Sequence, residues 1–126
     1  NTMVSKRGKQ NAGLTIAFHG TPKTAEKSIE DKGLLVPGEK GVAHRTDSGW
    51  WGAGIYLSPD INLAAAYGSG GVLFLCAVIR GRVCKLAARL DGGNLKHGYD
   101  SHEDPSGNEW ILFNSAHILP IYAIKL

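Results

Sequence analysis

The chain has 126 residues, of which 43% are hydrophobic and 20% are charged. This composition predicts one globular domain and excludes a membrane span, because no stretch approaches the ~20 apolar residues that a span requires. The net charge is +3, with the excess concentrated in Lys6, Arg7 and Lys9. We therefore expect a flexible basic tail over residues 1–13, too weakly charged to predict nucleic-acid binding, and a nearly neutral domain over residues 14–126.

The two cysteines, Cys76 and Cys84, lie in or beside an apolar run. Without zinc-type spacing or a secretory signal, they predict buried thiols in a reducing compartment, so we expect an intracellular protein, nuclear or cytoplasmic. No cluster of histidine, cysteine or carboxylate side chains has ligand spacing, and we therefore expect no metal. We also expect a monomer that does not contact a membrane.

The N-terminal half of the domain predicts a strand, a helix and a loop in that order. Residues 14–18 are apolar and β-branched, which indicates a buried strand that ends at His19-Gly20. Thr21-Pro22 has the residue types of a helix cap and a first helical position, so a helix is expected over residues 22–32. The aperiodic residues 34–48 indicate a surface loop.

Three glycines then surround two adjacent tryptophans, Trp50 and Trp51, ahead of a short strand. So many glycines predict a backbone that approaches another group closely. A second helix is expected between the cap signal Ser58-Pro59 and the stop at Gly68, and it carries Tyr67.

The C-terminal half is richer in strands. Residues 72–79 are apolar throughout, which predicts a central strand covered on both faces. Residues 87–107 are polar and glycine-rich, which indicates a loop-dominated segment. Residues 109–113 and 117–125 predict two more strands. Alternation in the last strand predicts one shared face for Ile118, Pro120, Tyr122 and Ile124.

Three blocks carry a resemblance to a known family: FHGT at 18–21, GAGIYLS at 52–58 and NEWILF at 108–113. Their order and spacing resemble the poly(ADP-ribose) polymerases, the histidine-tyrosine-glutamate class of ADP-ribosyltransferases, over about residues 17–126. The resemblance implies an α+β ADP-ribosyltransferase fold, with two small, mostly antiparallel β-sheets and short helices around an NAD cleft. It also implies displacement of nicotinamide from NAD and transfer of ADP-ribose, singly or as a polymer, to a protein or nucleic-acid acceptor.

The resemblance further assigns roles to four side chains, with His19, Tyr56 and Glu109 as the catalytic set. His19 matches the histidine that hydrogen-bonds the ribose hydroxyls, and Tyr56 and Tyr67 match the tyrosines on the two faces of nicotinamide. The faces of aromatic rings attract cations, so two tyrosines can hold the positively charged nicotinamide ring between them. Glu109 matches the glutamate that binds the ribose 2′-hydroxyl and offsets the positive charge of the transition state.

Three further positions align with NAD contacts of the family, and at one of them the residue type differs from the usual one. Gly20 matches the glycine whose backbone binds the carboxamide, and Thr21 matches a hydroxyl residue on the adenosine side. Ala64 stands where the family usually has a serine that hydrogen-bonds the carboxamide. Losing one such bond predicts an NAD affinity that is weaker by roughly three- to tenfold, offset in part by Asn62 or Ser58.

Two other functions stay open at this stage. In an NAD glycohydrolase, water would replace the acceptor and free ADP-ribose would be released. A catalytically silent module would bind NAD, ADP-ribose or RNA without turnover. The joint presence of His19, Tyr56 and Glu109 argues against the silent module, because binding alone does not require all three.

The two tryptophans of the loop and the remaining histidines have no assigned role in the resemblance. The loop that carries Trp50 and Trp51 either walls the NAD cleft or buries both tryptophans in the core. The remaining histidines match no family position and are expected to be scattered on the surface: His44, His97, His102 and His117.

Overall fold

The computed structural model describes residues 13–36, 49–68 and 71–125. Over these residues the protein is α+β, with two small β-sheets and two short helices, which confirms the coarse fold class. The predicted basic tail, apart from Gly13, and most of the predicted loop at 34–48 lie outside the described residues. No helix among the described residues is long and apolar enough to cross a membrane.

The first sheet has three strands: β1 (Leu14–Thr21), β3 (Val72–Ile79) and β7 (Ile118–Lys125). The strand order is β1-β3-β7 and both pairings are antiparallel. The apolar run at 72–79 is thus the central strand, as predicted, and its side chains supply much of the core.

The second sheet has four strands of three residues each: β2 (Ile55–Leu57), β4 (Val83–Lys85), β5 (Ser101–Glu103) and β6 (Trp110–Leu112). The order is β2-β6-β5-β4, and only the β4–β5 pair is parallel. Strand β5 lies inside the segment predicted to be loop-dominated. Its sequence, Ser-His-Glu, has no apolar period, and it is a strand because β4 and β6 pair with it on either side.

The first helical segment is shorter than predicted. A 3-10 turn (Lys23–Ala25) leads into helix α1 (Glu26–Lys32), which ends at Gly33 with φ of 76°. Pro22 is extended, with ψ of 149°, and Thr21 remains in β1, so neither has the role predicted for it at the helix start.

The second predicted helix is present as α2 (Ile61–Gly68), but it begins after the predicted cap signal Ser58-Pro59, and Gly68 is its last residue rather than its stop. Its start is capped by Asp60, whose Oδ1 accepts a hydrogen bond from Asn62 N at 2.9 Å. The Ser58 Oγ in turn accepts from Asp60 N at 3.0 Å. Polar side chains therefore satisfy the first donors of the helix.

Strand β1 continues past the predicted end at His19-Gly20. His19 pairs with Phe74 and Thr21 with Val72. Pairing with the long central strand β3 therefore keeps these polar residues in a strand that their own sequence does not predict. His19 is consequently held within a sheet rather than at a free strand end.

The alternation predicted for the last strand is wrong beyond Pro120. Tyr122 pairs with Leu75 and Pro120 with Cys76, so Ile121 is an extra residue in a β-bulge. A bulge shifts the side-chain phase by one residue. Tyr122 is therefore 66% exposed, whereas Ile118 is buried, so the two do not share one face.

Both cysteines are free thiols. Cys76 is buried as predicted, and burial raises the pKa of its thiol to about 12. Cys84 is only half-buried, which corrects the prediction of two buried thiols, because the short strand β4 lies at the edge of its sheet.

Candidate functional site

The two sheets join beside His19. Phe18 N donates to Ser58 O at 2.8 Å, and Ser58 N donates to Phe18 O at 2.9 Å. This pair of backbone bonds brings the FHGT and GAGIYLS blocks together, although about 40 residues separate them in sequence. The three predicted catalytic side chains lie around this junction.

The His19 ring is oriented by the backbone of β2. Its Nδ1 donates to Tyr56 O at 2.8 Å, since a carbonyl oxygen can only accept. In the neutral ring Nε2 is therefore the acceptor nitrogen. A histidine in this tautomer can accept a hydrogen bond from a hydroxyl group at Nε2.

Tyr56 is tied to the glycine-rich loop that precedes it. Its hydroxyl donates to Gly52 O at 2.9 Å and accepts from Trp51 N at 2.7 Å. The side chain is 8% exposed. Gly49 has φ of 76°, and a Cβ there would lie 2.6 Å from Gly52 O, so this tight loop requires a glycine at that position.

Glu109 stands directly before β6, at the end of a turn. Its backbone N donates to Asp104 Oδ1 at 3.0 Å, and Asp104 N donates to Glu109 O at 3.1 Å. The carboxylate accepts on both oxygens: Oε1 from the Tyr67 hydroxyl at 2.6 Å and Oε2 from Trp51 Nε1 at 3.0 Å. Its position and its plane are thus both defined.

A continuous chain of hydrogen bonds consequently joins five residues, which we call the site cluster: His19, Tyr56, Trp51, Glu109 and Tyr67. Four of them are residues that the sequence predicts for the site. The fifth, Trp51, lies 58 residues from Glu109 in sequence. The sequence offers only its location between glycines as a signal, and its bond to the carboxylate was not predicted.

The other predicted NAD contacts lie on the strand and the helix that carry His19 and Tyr67. Gly20 and Thr21 pair with β3 beside His19. Ala64 is buried in α2, three residues before Tyr67 and so on the same side of that helix. Of the two residues expected to offset the missing serine, Ser58 is buried and its Oγ already accepts a hydrogen bond from Asp60 N, whereas Asn62 is exposed.

The two tryptophans of the loop differ in environment. Trp50 is 51% exposed, and the Arg89 guanidinium lies 4.3 Å from the centre of its ring. The core interpretation is therefore wrong for Trp50, and its ring lies outside the site cluster. Trp51 is half-buried and directs its indole N–H to Glu109.

His102 is fully buried, so the prediction of a surface position is wrong. Its Nδ1 donates to Trp51 O at 2.8 Å, and its Nε2 accepts from Lys96 N at 2.9 Å. Burial lowers the pKa of this imidazole below its ordinary value. A neutral His102 thus joins the Trp51 loop to the segment around Lys96.

The remaining histidines follow no single pattern. His97 is exposed, as predicted, and His44 lies outside the described residues. His117 is half-buried, and burial lowers the pKa of its imidazole.

Chemically, the site cluster combines an oriented carboxylate with an accessible aromatic ring. Each carboxylate oxygen can accept two hydrogen bonds, so Glu109 can accept from a ligand hydroxyl while Trp51 and Tyr67 hold it. Tyr67 is 48% exposed, whereas Tyr56 is 8% exposed and mostly covered. This arrangement can stabilise a positive charge that develops close to a hydroxyl-bearing carbon.

A surface cavity of about 410 Å³ lies elsewhere, between α1 and β7. Its lining includes Ile29, Phe74 and Tyr122 and none of the predicted site residues.

No family model matches this chain, and no curated protein sequence matches it.

Proposed function

We propose that this domain is an NAD-dependent ADP-ribosyltransferase with the fold of the poly(ADP-ribose) polymerases, which displaces nicotinamide and transfers ADP-ribose to a protein or nucleic-acid acceptor. One observation carries the proposal. The Glu109 carboxylate is held on both oxygens by Trp51 and Tyr67, in the same hydrogen-bonded cluster as His19 and Tyr56. The three blocks that resemble the family meet at this site.

Substrate binding follows from the exposed groups of the site cluster. The ring of Tyr67 stacks on the nicotinamide ring, whose positive charge is attracted to an aromatic face by ~0.5–2 kcal/mol. His19 Nε2 accepts a hydrogen bond from a ribose hydroxyl, because Nδ1 is already committed to Tyr56 O. Holding the ring and the ribose together orients the glycosidic bond for cleavage.

The reaction breaks the bond between the ribose anomeric carbon and the nicotinamide nitrogen. The electron pair of this bond leaves with nicotinamide, which becomes neutral, and positive charge develops on the ribose. Glu109 accepts the 2′-hydroxyl hydrogen bond and stabilises that charge. An acceptor nucleophile then attacks from the face opposite to nicotinamide, releases its proton to solvent water, and inverts the anomeric carbon.

The main test is nicotinamide release from NAD by the wild type and by Glu109→Gln, which keeps the shape of the side chain but removes its charge. We expect kcat to fall by at least about 100-fold. Glu30→Gln is the matched control, because Glu30 is exposed on α1, away from the site cluster. Equal kcat for Glu109→Gln and the wild type would contradict the proposal.

Labelled NAD separates the proposed function from its alternatives. Label on a macromolecule, in amounts that match the released nicotinamide, is the expected result for a transferase. Free ADP-ribose in stoichiometric yield would identify a glycohydrolase, and NAD binding without nicotinamide release would identify a silent module.

A further inference from the structure

We infer that Trp51 is a positioning residue of the reaction, which holds the Glu109 carboxylate in its working orientation through the indole N–H. This inference rests on the proposed function and adds a residue to its machinery. The indole Nε1 donates to Glu109 Oε2 at 3.0 Å.

Trp51 is suited to this task because its backbone is bonded at both polar groups. Its N donates to the Tyr56 hydroxyl at 2.7 Å, and its O accepts from His102 Nδ1 at 2.8 Å. The backbone from which the indole projects is therefore fixed on two sides. A bulky ring on a fixed backbone loses little further entropy when it bonds Glu109.

Glu109 needs such a partner because its side chain is long and rotatable. The Tyr67 hydroxyl bonds Oε1 at 2.6 Å, and one bond alone leaves the carboxylate plane able to rotate. The second bond, to Oε2, defines that plane. Charge-assisted bonds of this kind are stronger than neutral ones, so the indole contributes substantially to the orientation.

The glycine at 52 allows the loop to take this shape. Gly52 has φ of 117°, and a Cβ there would lie 2.8 Å from Phe113 Cζ and 3.1 Å from His102 Nδ1. A larger residue would push the loop away from His102 and move the Trp51 ring. Gly52 thus serves the placement of the Trp51 indole.

The test is Trp51→Phe, which keeps an aromatic ring and both backbone bonds but removes the indole N–H. We expect kcat for nicotinamide release to fall by about tenfold, with KM for NAD within about twofold of wild type, because an oriented carboxylate acts mainly in the transition state. Trp50→Phe, in the same loop but outside the site cluster, is expected to keep kcat within about twofold.

A double-mutant cycle separates positioning from a general structural defect. In a Glu109→Ala background, Trp51→Phe is expected to change the remaining rate by less than about twofold. A tenfold loss in that background, or an unchanged kcat for Trp51→Phe alone, would overturn the inference.

An NMR measurement tests the contact independently of turnover. In ¹⁵N-labelled protein, single Trp→Phe variants assign the indole N–H resonances, and Glu109→Ala is expected to shift that of Trp51 and leave that of Trp50 in place. A Trp51 resonance that does not respond overturns the inference. A responsive resonance in a protein that releases no nicotinamide contradicts the proposed function instead, and the contact stands.

Discussion

In the GAGIYLS block, the structure shows which group the backbone of Gly54 approaches. The glycines of this block predicted a backbone that approaches another group closely. In the structure, a Cβ on Gly54 would lie 2.6 Å from Leu112 O and 2.7 Å from Ile111 Cγ2. The group approached is the neighbouring strand β6, paired with β2, so Gly54→Ala is expected to destabilise the fold.

The size of the effect follows from what the new methyl group meets. Leu112 O belongs to a paired strand and Ile111 is fully buried, so neither can move aside without disturbing the sheet. Overpacking of this kind costs typically about 1–3 kcal/mol. For a chain of 126 residues, that loss lowers the midpoint of thermal unfolding by about 4–11 °C.

The assay is thermal unfolding followed by circular dichroism, with Gly13→Ala as the matched control. Gly13 precedes β1 and a Cβ there would meet nothing within 4 Å, so this variant is expected to keep its midpoint within about 2 °C. An unchanged midpoint for Gly54→Ala, together with weakened NAD binding, would refute the packing argument and support a ligand contact at Gly54.

Two further predictions concern histidine ionisation and the position of the missing serine. Burial lowers the pKa of His102 and His117 below the ordinary 6.5. These two imidazoles therefore bind protons more readily in the unfolded chain than in the folded protein. The free energy of unfolding in urea should therefore be steady above about pH 7.5 and fall below pH 6.5, by up to about 1.4 kcal/mol per pH unit for each histidine. A stability independent of pH between 7.5 and 5.5 would contradict this. Ala64→Ser is expected to tighten NAD binding by roughly three- to tenfold in calorimetry, because it restores one hydrogen bond. Ala65→Ser, next to it on the helix, is the control. Equal NAD affinities for Ala64→Ser and the wild type would contradict the proposed carboxamide contact.

Local patterns in the sequence predicted several of the regular elements of this protein. The apolar run at 72–79 predicted the central strand with its observed bounds, because such a run is stable only when both faces are covered. Helix α2 and the strands near residues 55–57 and 118–125 were also predicted, since residue period, caps and glycine stops are local properties.

The tertiary structure decided what no local pattern encodes. The polar strand β5 and the burial of His102 depend on strands from other parts of the chain. The bulge at Ile121 depends on the register with β3. The bond between Trp51 and Glu109 joins residues 58 positions apart, and its formation depends on how the loop and the strand end meet when the sheets assemble. Four members of the site cluster were therefore proposed from the sequence, whereas the indole that bonds the Glu109 carboxylate became visible only in the assembled fold.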